Sequence, residues 1–347
     1  MMKKLFYLFI LFAISVNAQI VNLKVTDFAT NLPLDDADIY FKNSTKNFVS
    51  DQQGKAIIDL SNVLQTDELI VSKKDYQDAV LKVSDLKSEL NIKLEKVSEV
   101  GLKEAFITNL KAEDILQKVI DNYDKNFNTE QHFYKVNFTL DAVIDSVNRD
   151  LFDADLQFRF KKDQVKIHSN NLINKRIIGE GVHQKASYRM MHYFNDISLL
   201  RLIKDMQLKL LGKVYDQEKV LISKYADRYM YDVEFKNSGM NVTNSFLIDK
   251  VTFAIVEHKV TQENRYNEEE GTMMNFNEVV YKYRPYQNKW ILKESYRKWN
   301  TTYLEADKSQ HTNDVKVILE VKDFSTQPFA EFNKSVNEKM DIRRSFK

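Results

Sequence analysis

Six histidines are the side chains here best suited to hold a metal or move a proton near neutral pH: His132, His168, His183, His192, His258 and His311. A hydrolytic zinc site needs histidines and carboxylates at set spacings, as in His-Glu-x-x-His on a helix. That motif is absent, and none of the six begins a His-x-x-Glu pattern. Glu180 and His183 stand three positions apart, with His168 and His192 to either side. A cluster around His183 and His192 is therefore the constellation from which an unrecognised hydrolase site could be drawn. Strand and loop histidines more commonly only hydrogen-bond, so no metal and no other cofactor is expected.

Other catalytic chemistries leave fewer traces. Zero cysteines exclude disulfides, thiolate metal sites, cysteine nucleophiles and lipid attachment through an N-terminal cysteine. No Gly-x-Ser-x-Gly elbow occurs. Gly179-Glu-Gly181 lacks the third glycine and the following Gly-Lys-Ser/Thr of a phosphate cradle. Asp153 and Asp155 would share one strand face, and Glu268-Glu-Glu270 adjoins Gly271. Solvated carboxylates account for both. A late aromatic cluster, Tyr281, Tyr283, Tyr286, Trp290, Tyr296, Trp299 and Tyr303, could stack sugar rings, but alternating Tyr and Trp are also what strands favour. With no peptidase, hydrolase or nucleotide-binding motif, no catalytic residue is assigned and binding is favoured over catalysis.

The elements that would position such side chains begin with an export segment. Lys3 and Lys4 precede a largely apolar run over 5–16, and Val16 and Ala18 supply small residues for cleavage. That run spans about 18 Å as a helix, short of a bilayer core of about 30 Å. Residues 1–18 are expected to be a signal peptide, with a mature chain from Gln19 in the periplasm or associated with the outer membrane or cell surface. No later run is long and apolar enough for a transmembrane helix. Lysine and arginine total 51 against 50 acids, so no bulk field invites nucleic acid.

Residues 19–98 alternate with period two: Val21, Leu23 and Val25, then Ile39 and Phe41, Ala56 and Ile58, Leu69 and Val71, Leu81 and Val83, and Leu90, Ile92 and Leu94. Turn chemistry at Asn31-Leu-Pro33, Asp51-Gln-Gln-Gly54 and Lys73-Lys-Asp75 separates them, which predicts a small β-sandwich. Val25-Thr-Asp27, Thr30-Asn-Leu-Pro-Leu34, Asp36-Ala-Asp-Ile39, Ser50-Asp-Gln-Gln-Gly54, Leu69-Ile-Val-Ser72, Tyr76 and Leu90-Asn-Ile-Lys-Leu94 fall in a familiar order. The stretch resembles the carboxypeptidase regulatory-like domain, a transthyretin-like sandwich that precedes other modules in exported proteins of Bacteroidetes-type bacteria. It departs from that pattern at Leu23 and Asp75, where glycines are usual. The resemblance implies an accessory module and no peptidase activity.

After a linker at 99–111 the period changes. Ile115, Leu116, Val119, Ile120, Tyr123 and Phe127 form an apolar stripe that predicts a helix over 112–127. A second helix is expected over 195–211, with Gly212 at its C′ position. Its apolar residues, including Leu199, Leu200, Ile203, Met206 and Leu210, nearly encircle it. The remainder to 327 alternates as long strands, so the expected fold is mainly β with a few helices. A small sandwich is followed by a larger curved, half-barrel-like antiparallel sheet with a helix pressed into its concave side. The hairpin carrying Ile248-Asp249, Thr252 and Ile255 resembles one in outer-membrane lipoprotein carriers of the LolA type, which implies lipid or lipoprotein handling. Residues 328–347 are expected to be a C-terminal tail, helical or frayed.

Three function classes remain. The leading one is a non-enzymatic envelope protein binding an apolar or amphipathic ligand, a lipid, a lipoprotein or an envelope protein partner, at Leu199, Ile203, Met206 and Leu210. The others are an envelope hydrolase and a structural or adhesive surface component. The shape and lining of the space between the sheet and segment 195–211 separates them.

Overall fold

Period-two alternation of apolar residues builds the first of two compact units, Met1–Ser98 with Tyr225–Asp227. The computed structural model describes residues 20–44, 46–73, 76–96, 110–161, 164–179, 199–225, 228–267, 272–304 and 309–336. The export segment, nearly all of the expected linker, the Glu180, His183 and His192 cluster, residues 195–198 and the acidic run at 268–271 lie outside them.

In the first unit, strands β1 (Ile20–Asp27), β2 (Asp38–Phe41), β3 (Asn47–Val49), β4 (Lys55–Asp59), β5 (Glu68–Ser72), β6 (Ala79–Lys82) and β7 (Glu89–Leu94) form two sheets, ordered β4-β1-β7 and β3-β2-β5-β6. Val21, Leu23, Val25 and Ile58 from one sheet and Ile39, Phe41, Leu69 and Val71 from the other make one buried core. The unit is a small β-sandwich. Gly54 ends the turn into β4 with φ +71°, and a Cβ there would stand 2.3 Å from the Val25 carbonyl oxygen, so only glycine fits. The Asp27 carboxylate accepts hydrogen bonds from the Thr30 amide at 2.7 Å and the Tyr76 hydroxyl at 2.9 Å, and these hold its pKa below the ordinary value.

The second unit comprises Glu99–Lys224 and Arg228–Lys347. In chain order it holds α1 (Ala112–Asp121), α2 (Tyr123–Asn126), β8 (His132–Ile144), β9 (Asn148–Lys161), β10 (Gln164–Ile178) and α3 (Leu199–Leu211). Strands β11 (Gln217–Tyr225), β12 (Arg228–Asn237), β13 (Val242–Asp249), β14 (Ile255–Asn267), β15 (Thr272–Tyr286), β16 (Lys289–Leu304), β17 (Gln310–Ser325) and β18 (Lys334–Val336) follow. Among the described residues these strands join in a single sheet of 11, ordered β11-β12-β13-β14-β15-β16-β17-β8-β9-β10-β18. Its ends do not pair, so the curved sheet stays open. No helix of the described residues is long and apolar enough to cross a membrane.

Three local expectations need correction. The stripe over 112–127 breaks at Asn122 into α1 and α2, because Asn122 leaves helical geometry and its side chain turns back to the Lys118 carbonyl. At the end of α3, Lys213 and not Gly212 takes the left-handed conformation, φ 55°. The amide of Val214 bonds the Lys209 carbonyl at 2.9 Å, which makes Lys213 the C′ residue of a Schellman-type stop. Finally, the tail expected from Pro328 contains β18, which pairs with β10 through Val336 and Ile167. Burial of Phe332 and Val336 explains why this segment is held instead of frayed.

Candidate functional site

The helices are fixed over the sheet by a short set of contacts. Asp249 closes the β13–β14 turn, accepting from the Val251 amide at 3.0 Å, the Thr252 amide at 2.7 Å and the Thr252 hydroxyl at 2.9 Å. The Thr252 carbonyl accepts from Asn126 at 2.8 Å, which ties α2 to that turn. Phe127 stacks on Tyr123 and meets the Tyr283 ring edge-on at 5.4 Å. The Glu218 carboxylate of β11 accepts from the Ala112 amide at 2.6 Å, placing negative charge at the positive end of α1. The helix α3 packs beside α1, with Gln207 donating to Gln117 at 3.0 Å.

The face of α3 turned inward carries Leu199, Ile203, Met206 and Leu210, all buried. Their spacing is that of one helical stripe. Beneath the start of α3 lies a void of about 10 Å³ lined by Leu199, Leu202, His258, Tyr281 and Tyr283. A pocket that encloses a small ligand measures about 300–1,000 Å³. The seam is therefore shut, with the helix packed onto the sheet.

One lining residue is out of keeping with that packing. His258 is only 1% exposed, and neither ring nitrogen finds a partner among the described residues. Its ring lies flat against Phe246 at 4.2 Å and 6°, with Tyr281 parallel on the far side at 6.0 Å. Burial without a hydrogen-bond partner pushes its pKa down to about 3, so the imidazole is neutral at any ordinary pH. Sequence reasoning named His258 only as one of six histidines. The signal that could have singled it out is its period-two place with Val260 on one strand face, alternating with the charged Glu257 and Lys259.

Other candidate residues are not drawn together. His168 is half-buried, its pKa lowered by burial and by the charges of Arg159 and Lys166. Asp153 and Asp155 both face Asn137, at 3.4 and 3.3 Å from its amide nitrogen. The late aromatics divide between the two sheet faces: Tyr281 looks toward α3, while Tyr296, paired with Val280, looks the other way. They do not form one stacking platform. Among the described residues no group of three or more His, Asp or Glu is placed to hold a metal. In the first unit, a depression of about 480 Å³ lies on the outer face of the three-stranded sheet, lined by Asn22, Lys24, Lys55, Ile57, Glu89 and Asn91 among others. It is larger than the seam but lies on an exposed face and mixes both signs of charge, so it gathers no desolvated group.

A second arrangement escaped the sequence altogether. The Ser309 hydroxyl lies 3.1 Å from His311 Nε2, and His311 Nδ1 lies 2.6 Å from Asp145 Oδ2. That is the order of a nucleophile, a base and an orienting carboxylate. The other Asp145 oxygen accepts from the Thr312 amide at 2.9 Å, so the carboxylate also clasps the β8–β9 turn to β17.

No family model matches this chain, and no curated protein matches it in sequence. Solved structures similar to it include the following three. An outer membrane lipoprotein-sorting protein domain from Vibrio parahaemolyticus is 10% identical over 60% of this chain and 91% of its own, with a TM-score of 0.27. A LolA superfamily protein from Nitrosomonas europaea is 11% identical over 65% of this chain and 98% of its own, at 0.24. Lipovitellin, described for its lipid–protein interactions, is 9% identical over 60% of this chain but only 27% of its own, at 0.28. Likenesses this slight transfer no ligand.

The buried imidazole makes stability depend on pH. In the unfolded chain His258 titrates near 6.5; in the folded one it titrates near 3. Between those values the unfolded state holds a proton that the native state lacks, so stability present above pH 6.5 is lost as pH falls toward 3. The full loss attributable to this group is on the order of 5 kcal/mol. Unfolding free energy measured from pH 7 to 4 should fall less steeply in His258→Phe than in the parent, by up to one proton's worth of slope. Equal slopes would show that His258 is solvated.

Proposed function

We propose that this chain is a non-enzymatic, exported cell-envelope protein whose second unit takes up an apolar or amphipathic ligand beneath α3. The first unit, in this reading, is a carboxypeptidase regulatory-like sandwich serving as a docking or spacer module. The contact of Asp27 with Tyr76, two residues of the pattern that carries that resemblance, supports the assignment. The observation that carries the ligand reading is His258, a desolvated polar group set in the apolar seam between helix and sheet. A core selected only for packing would place an apolar ring there.

Because the void holds about 10 Å³, uptake requires α3 to lift or slide. The helix is suited to that. Its outer side sets Leu208 and Leu211, 64% and 56% exposed, among the charged Arg201, Lys204, Asp205 and Lys209. Among the described residues its side chains are tied to α1 by the Gln207–Gln117 bond. Leu199, Ile203, Met206 and Leu210 would then exchange contact with the sheet for contact with an acyl chain, at little change in buried apolar area.

An environment-sensitive apolar dye should bind the folded protein saturably and be displaced by single-chain amphiphiles. Leu202→Trp, which fills the seam with a side chain, should weaken that binding at least tenfold while the circular dichroism melt stays cooperative. If no apolar ligand binds the folded chain, or if Leu202→Trp binds as the parent does, the carrier reading fails.

The Ser309–His311–Asp145 relay favours a second reading, hydrolysis of an ester at Ser309. That reading requires Ser309 to be labelled by a fluorophosphonate and His311→Ala to abolish the labelling. The carrier reading expects an unlabelled chain.

A further inference from the structure

We propose that the ligand held beneath α3 is a neutral single-chain amphiphile with a hydroxyl-bearing head, and that His258 and Asn244 receive that head; this rests on the reading of the seam as an acyl-binding site. In the β13–β14 ladder Phe246 faces His258 and Asn244 faces Val260. Asn244 and Phe246 are two apart on their strand, so Asn244 shares the sheet face on which Phe246 stacks against His258. Diagonal neighbours of this kind are about 7–8 Å apart, a span that one small polar head bridges. Asn244 is 2% exposed, and its Oδ1, like both nitrogens of His258, has no hydrogen-bond partner among the described residues.

Two such groups side by side on one buried face are not explained by the fold. Some buried polar side chains elsewhere in this unit are engaged, Asp249 by its turn, Asn126 by Thr252, and Asn277 by the Arg297 Nε at 2.9 Å. His168 Nδ1, Ser223 Oγ and Asn313 Oδ1 find no partner among the described residues, but their strands β10, β11 and β17 do not pair with one another as those of Asn244 and His258 do. A buried polar atom without a partner is a place where a water or a ligand group can supply the missing hydrogen bond.

The inventory of the unmet groups specifies the head. A neutral imidazole offers one N–H donor and one acceptor nitrogen, and the Asn244 oxygen is a second acceptor. The complementary head must bring two donors and one acceptor, which a pair of hydroxyl groups does. A carboxylate or phosphate brings acceptors alone. It would leave both protein acceptors unmet and bury a negative charge in a seam whose described lining, Leu199, Leu202, His258, Tyr281 and Tyr283, holds no cation. An ester without hydroxyls brings no donor at all.

Three probes with one acyl chain separate these cases: 1-monolauroylglycerol, laurate and methyl laurate, each titrated below its micelle concentration against the full chain. The monoglyceride should bind at least tenfold more tightly than either of the others. In His258→Phe that preference should shrink to less than threefold, while the unliganded protein melts at the same temperature or higher, since an unmet polar ring has been replaced by an apolar one. Asn244→Leu should shrink the preference in the same direction and serves if His258→Phe fails to fold. Equal binding of all three probes, tighter binding of laurate, or a preference that survives both substitutions overturns the head assignment and leaves the acyl site standing. If none of the three binds, both fall.

Discussion

An open antiparallel sheet with one apolar face has to be covered, and the second unit is organised around that requirement. Closing the sheet into a barrel would bury the face without further help; here β11 and β18 do not pair, so helices do the work. Over β12 to β16 the cover is α1, α2 and α3. Each is positioned by a polar contact at the rim: Glu218 at the start of α1, the Asn126–Thr252 bond under α2, and Gln117–Gln207 between α1 and α3. The energy comes from apolar area, and the polar contacts decide where the helices lie. Such a cover is a lid in the physical sense, because its attachment to the sheet is non-directional and its own polar ties are few.

Set against this apolar background, the treatment of buried polar groups is informative. Tyr134 places its hydroxyl where the Leu292 amide donates to it at 3.3 Å, inside a cluster with His132, Phe160 and Phe324. His132, equally buried, bonds the Glu130 carbonyl at 2.8 Å. These groups are desolvated and satisfied, as folded proteins require. His258 and Asn244 are desolvated and without partners among the described residues, diagonal neighbours in the β13–β14 ladder, and His258 lines the seam beneath α3. The unmet groups cost stability in the folded chain, and the same desolvation holds His258 neutral.

Much of this was legible in the sequence and some was not, for physical reasons. The period-two runs at 21–25, 39–41, 56–58, 69–71 and 90–94 placed sandwich strands because each has one drier face, whereas Val83 of the run at 81–83 lies in a 3-10 turn after β6. The stripe through Leu199, Ile203, Met206 and Leu210 named the inward side of α3, since helical spacing alone puts those residues together. The fine stops were harder: Asn122 and Lys213 end helices through local backbone bonds that composition does not announce. His258 was invisible as a site because its neighbours Phe246 and Tyr281 come from two other strands and meet it only through register. Asp145 and His311, 166 residues apart, meet for the same reason. Strand pairing creates such neighbourhoods, and one sequence does not state its own pairing.

Whether α3 moves is the central question, and the absence of cysteine allows it to be asked cleanly. In the double variant Gln117→Cys, Gln207→Cys, a short bis-methanethiosulfonate reagent would bridge α1 to α3 and dithiothreitol would release it. Equilibrium binding of an apolar dye should fall at least tenfold while the bridge is intact and recover fully on reduction. Binding that is unchanged by the bridge would contradict the account, because a ligand would then be entering the protein without lifting α3 from the sheet.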